Sequence, residues 1–104
     1  MGILRSKMEM KHIEVDFGKG PVTIYWRGKS LREEDLIDRA RKESPVSGVI
    51  EAFIIRSRNE DGSRMFDDRH RTEIATDWDP EEVGKVVIAM QDSDREASGG
   101  DEGN

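Results

Sequence analysis

Ser57, Asn59, Asp61, Gly62 and Asp68 fall at positions one, three, five, six and twelve of an EF-hand-type calcium loop. The chemistry on offer is oxygen ligation of a hard cation. Three departures weaken it. Ser57 replaces the acid expected first, Asp68 is shorter than the bidentate Glu expected last, and Arg64 brings a positive charge where an aliphatic residue usually packs. The stretch is therefore expected to be an Asx-type turn with a helix cap, holding no metal. His12 and His70 have no ligating partner at helical spacing, so zinc is not expected either. Asp67, Asp68, Asp77, Asp79, Glu81 and Glu82 are numerous enough to pair for proton transfer. Four of them sit where helix starts favour anions, which accounts for them without catalysis. There is no phosphate-binding glycine loop, nucleophile elbow or nucleophile–base pair. The expectation is a protein with no catalytic residue, no cofactor and no enzymatic activity.

These residues belong to a polar turn, Asn59 to Asp68, with helix-like sequence on both sides. Asp61-Gly62 is a strong turn signal because glycine accepts positive φ without a Cβ clash. Met65 and Phe66 can then return to the core, and Asp67 or Asp68 can cap the helix that follows. Upstream, Ile13, Val15 and Phe17 alternate with polar residues, as do Val22, Ile24 and Trp26. Gly18-Lys19-Gly20-Pro21 separates them, so the pair reads as a β-hairpin with one apolar face. A lone hairpin is barely stable, so this one must lie on helices or join another chain by its open edges. Ser30-Leu31-Arg32-Glu33 is a capping box opening a helix whose apolar stripe is Leu31, Leu36, Ile37 and Ala40. Ser44-Pro45 opens a second, with Val46, Val49, Ile50, Phe53 and Ile54 at helical spacing. The β-branched run from Val49 to Ile55 leaves a strand as the competing assignment. Asp67 or Asp68 opens a third of about ten residues, with Ile74, Ala75 and Trp78 facing inward. Asp79-Pro80-Glu81-Glu82 opens a fourth, with Val83, Val86, Val87 and Met90 on one face. Gly84 weakens that helix and suggests close packing. The apolar pattern stops after Met90.

The expected architecture is α+β, mainly α: an N-terminal β-hairpin, then a compact bundle of about four short helices. Residues 1–12 form a flexible arm, 13–92 a single domain, and 93–104 a disordered acidic tail. At 104 residues the chain holds one domain at most. Its 34% apolar and 38% charged residues make a lean core, for which self-association is a common remedy. The net charge of −6 is uneven, since residues 92–104 hold five acids and one base. No basic stripe with interleaved aromatics supports nucleic-acid binding. No run is long and apolar enough for a membrane span, and residues 1–11 carry no apolar signal region. The expected compartment is the cytoplasm. Trp78, at a helix junction, suits either the core or an interface anchor. Val83, Val87 and Met90 suit either the core or a face offered to a helical client.

The order of elements carries a resemblance. A hairpin is followed by Ser-Leu-x-Glu-Glu at 30–34, then Asn-Glu-Asp-Gly-Ser-Arg-Met-Phe-Asp-Asp at 59–68, Ile-Ala at 74–75 and Val-Val-x-Ala-Met at 86–90. Over residues 13–91 this resembles the tail assembly chaperones of long-tailed bacteriophages and prophages, whose acidic D-x-x-G-x-R-L-F-x-D segment corresponds to Asn59, Gly62, Arg64, Met65, Phe66 and Asp68. Asn59 and Met65 depart from that pattern. The resemblance implies a non-enzymatic, oligomerising helical protein in the host cytoplasm, absent from the finished virion. Its partners would be the tape-measure protein and the tail-tube protein. Trp78, Val83, Val87 and Met90 are the candidate contact residues, and Ser30, Gly62, Phe66, Asp68 and Asp79 the structural turn and cap residues. The alternative is a structural component of the particle, at the head–tail joint or tail tip, or another small protein-interaction module.

Overall fold

The computed structural model describes residues 10–102, with side chains placed from Met10 to Glu96. Strands β1 (Lys11–Asp16) and β2 (Pro21–Trp26) pair antiparallel, with Ile13 opposite Ile24 and Val15 opposite Val22. Their connection needs its glycines. Gly18 and Gly20 have φ of 114° and 103°, and both backbone N–H groups donate to Asp16 Oδ1, at 2.7 and 3.2 Å. The strand begins inside the segment expected as an arm, because Lys11 and His12 pair with Trp26 and Tyr25. The rest of that arm, residues 1–9, lies outside the described residues.

Helix α1 (Leu31–Glu43) starts at Ser30 with both bonds of the capping box made: Glu33 N–H to Ser30 Oγ at 3.1 Å, and Ser30 N–H to Glu33 Oε1 at 3.0 Å. Ile37 is buried, whereas Leu31, expected in the stripe, is 85% exposed on the first turn, ahead of the packed part of the helix. Helix α2 (Pro45–Arg56) settles the helix-or-strand ambiguity. Ser44 Oγ caps it through Ser47 N–H at 3.0 Å, Pro45 occupies the first turn, and Ala52 to Ile55 are all buried. A helix buried all round in its last turn reads as a continuous apolar run, which is why its periodicity was ambiguous.

After the turn, a single 3₁₀ turn (Asp68–His70) leads into α3 (Arg71–Asp77), and α4 runs over Pro80–Glu102. The cap is Asp67, whose Oδ1 accepts from Arg69 N–H at 2.9 Å. Asp68, expected as a cap residue, is exposed and reaches Arg71 at 2.7 Å instead. Ile74 faces the core, but Ala75 is exposed, because the 3₁₀ turn rotates the start of α3. Asp79 opens α4, with Oδ1 accepting from Glu81 N–H at 2.9 Å.

The core is one cluster in which α4 lies against both α2 and strand β1, with α1 packed along α2. Phe53 is its centre: Phe66 stacks on it at 5.1 Å, while Phe17 and Trp78 meet it edge-on, each at 5.9 Å.

Helix α4 does not end where its apolar pattern does. Within the segment 93–104, expected as a disordered tail, residues 93–102 continue the helix, and residues 103–104 lie outside the described residues. Ser93 and Asp94 lie three and four residues beyond Met90, on the same face. Ser93 Oγ accepts from Trp26 Nε1 at 2.9 Å. Asp94 takes a two-pronged bond from Arg56, 2.9 Å on each oxygen. Polar side chains finish the inward stripe, a continuation that apolar periodicity does not register. No helix among the described residues is long and apolar enough to cross a membrane.

Candidate functional site

Asp67, Asp68, Asp79 and Glu82 of the six candidate acids bond to neighbouring groups, as does Asp61, while Asp77 and Glu81 make no side-chain hydrogen bond or ion pair among the described residues. Asp61 Oδ1 accepts from Ser63 N–H at 2.9 Å and from Ser63 Oγ at 2.6 Å. The hydroxyl bond, and then the amide bond, hold the Asp61 carboxyl below its usual range. Asn59 O accepts from Gly62 N–H at 2.9 Å, and Gly62 has φ of 90°. The would-be calcium loop is thus a tight turn closed on itself. Asp67 is held down to about 2, chiefly by the Arg69 side chain and then by the Arg69 N–H. Glu82 pairs with Lys85 at 3.0 Å. Asp68 and Glu51 share Arg71, and their hydrogen bonds raise its pKa, Asp68 contributing most. His70 Nδ1 accepts from Asp67 N–H at 3.1 Å, and its ring lies edge-on to Phe66. Among the described residues, no three His, Asp or Glu side chains gather as a metal-holding group.

The largely apolar concavity lies between the start of α2, the end of α3 and the start of α4. It encloses about 440 Å³. Its walls are Pro45, Val46, Val49 and Ile50 from α2, Ile74 and Ala75 from α3, Trp78 at the junction, and Val83 and Gly84 from α4. A second, more polar depression adjoins it on the side of α1, sharing Ile50 and Ala75 and bordered by Arg39, Glu43, Glu51 and Arg71. The two meet at Ile50 and Ala75, and the apolar one together with its border is the furrow over α2. Val46 on its lip is 65% exposed, and Ile88, one turn beyond Gly84 on α4, is 57% exposed. Trp78 joins the wall to the core. Its ring meets Phe17 at 4.6 Å and Phe66 at 5.3 Å, while its N–H donates to Glu73 Oε2 at 3.2 Å.

Of the four candidate contact residues, only Trp78 is half-exposed. Val83, Val87 and Met90 are buried and are covered by this chain's own core, with Val83 alone reaching the furrow's floor. An apolar stripe states that something must cover it, and here α2 and the hairpin do. The open apolar surface comes instead from Val46, Ala75 and the bare backbone at Gly84. A Cβ added to Gly84 would meet nothing within 4 Å, so this glycine widens the furrow rather than admitting a close neighbour. The signal for Val46 was its place in the first turn of α2, ahead of the segment the core encloses.

Compared with protein-family models, curated proteins and solved structures, the chain shows no match.

Proposed function

We propose that this protein is a non-enzymatic tail assembly chaperone of a long-tailed phage or prophage, working in the host cytoplasm. In this reading it binds apolar helical stretches of the tape-measure protein, helps recruit tail-tube subunits and leaves before the virion is complete. The supporting observation is the furrow over α2: an open, largely apolar concavity anchored by a tryptophan packed on the core, on a chain whose Asp61, Asp67, Asp68, Asp79 and Glu82 are engaged in caps, turns and ion pairs. A helix laid along such a surface buries its i, i+3 and i+4 side chains there. A lean core and a mixed-charge exterior suit a protein that keeps a greasy client in solution. The furrow also offers a place for a second copy of the chain, in keeping with the oligomers that the resemblance implies.

Co-expression with the tape-measure protein tests the reading. The expected result is co-purification, oligomers by light scattering, and loss of the complex for Val46→Glu with the fold intact. A sharp monomer that fails to retain the tape-measure protein overturns it.

A further inference from the structure

The hairpin has a second, polar face. Tyr25 is half-exposed on β2 between the buried Ile24 and Trp26, and the exposed Arg27 follows just past the end of the strand. Residues 57–59 extend the hairpin beyond β2: Tyr25 N–H donates to Arg58 O at 3.0 Å, and Arg58 N–H to Tyr25 O at 2.8 Å. On its other side Arg58 bridges Arg64. Cross-strand partners share a face, so the ladder sets Tyr25, Arg58 and Arg64 opposite the core-facing Ile24 and Trp26, with Arg27 directly beyond the end of β2. Two of the guanidiniums flank one turn: Arg58 Nη1 donates to Gly62 O at 3.1 Å, and Arg27 Nη1 lies 3.9 Å from where a Gly62 Cβ would be. The end of the strand is fixed from below, because buried Arg56 donates to Arg27 O at 2.9 Å. Counter-charge is short. Glu33 pairs with Arg58 at 3.0 Å, and Arg64 Nη2 donates to the Ile54 carbonyl at 3.4 Å, but among the described residues neither Arg27 nor Arg64 has a carboxylate within ion-pair reach. Burial first, and then the charge of Arg27, push the Arg58 pKa down. An incoming anion relieves that repulsion.

We infer that Arg27, Arg58 and Arg64, with Tyr25 beside them, form a docking site for a short acidic segment of a partner protein. Guanidinium forks match carboxylates two bonds at a time, so adjacent Glu or Asp side chains suit the cluster. A nucleic acid does not. Three cations fall short of the roughly six to ten phosphate contacts over which strong nucleic-acid binding is built. The site lies on different elements from the furrow and stands without the chaperone reading.

Fluorescence anisotropy of the full chain at low salt tests it, with labelled hexaglutamate, hexaglutamine and a six-residue oligo-dT as probes. The expected result is saturable binding of hexaglutamate alone, weakened about tenfold or more by Arg27→Glu or Arg64→Glu. Arg39→Glu, the same charge change on the exposed side of α1, is expected to stay within about twofold. Arg27→Gln, at an exposed side chain, keeps the melting temperature and still loses affinity. Equal binding of the two peptides, tighter binding of the oligonucleotide, or an Arg27→Glu variant that binds like the parent overturns the inference.

Discussion

Replacing Asp94 with Ala tests whether the far part of α4 belongs to the folded domain. Arg56 carries a full charge on a side chain only 3% exposed, and Asp94, 27% exposed, takes both its forked bonds. Arg56 Nε is already without a partner. Removing the carboxylate leaves a buried guanidinium held by the Arg27 carbonyl alone. Breaking a buried pair from one side costs about 3–5 kcal/mol, and the partial exposure of Asp94 places the expected loss near the lower end, about 3 kcal/mol. For a domain of this length that is a fall in Tm of roughly 12–24 °C. Asp92→Ala is the matched control. It sits on the same helix, makes the same chemical change, and removes an exposed pair with Arg95 expected to contribute under about 0.5 kcal/mol. The assay is urea unfolding followed by the fluorescence of Trp26 and Trp78. The double change Arg56→Met, Asp94→Leu should recover most of the loss, because it removes both charges together. Ending the chain after Asp92 should cost at least as much as Asp94→Ala. If Asp94→Ala and Asp92→Ala are equally mild, the latch is not part of the fold and the reasoning fails.

Other outcomes follow from the same geometry. Gly62→Ala forces a Cβ onto a φ of 90° and is expected to cost about 1–2 kcal/mol, read as a lower urea midpoint at unchanged slope. Gly84→Ala should do the reverse, adding roughly 0.5–1 kcal/mol because the new methyl meets nothing, while narrowing the furrow and weakening client binding. Stability and binding moving together would contradict the placement of Gly84 in the client site. The Asp67 carboxyl, held down to about 2, should titrate well below its ordinary 3.8 in a carbon NMR titration. Its folded pKa is the depressed one, so its contribution to stability is complete above the ordinary value and is lost as pH falls from there through about 2. A midpoint at the ordinary value would remove the Arg69 contact from solution. If the proposed chaperone role holds, mass spectrometry of purified phage particles finds no peptide of this chain, whereas a stoichiometric signal favours a structural component.

What the sequence determined by itself was local. Ser30, Ser44 and Asp79 open helices, and Gly62 turns the chain, through bonds spanning no more than four residues. Such bonds are decided by residue type and spacing, so the hairpin, the helices and the turn were legible in advance. Asp67 and Asp68 marked the limit of that legibility, since either oxygen was within reach and only the 3₁₀ start selected one. The tertiary structure decided everything that depends on what covers what. Periodicity placed Val83, Val87 and Met90 on one face but did not say which chain would bury that face. It ended the helix stripe at Met90 because Ser93 and Asp94 are polar, though Trp26 and Arg56 bind them from 67 and 38 residues away. The furrow and the arginine cluster have the same origin. Both are made by surfaces that meet only after the chain has folded, where the energy comes from partners distant in sequence.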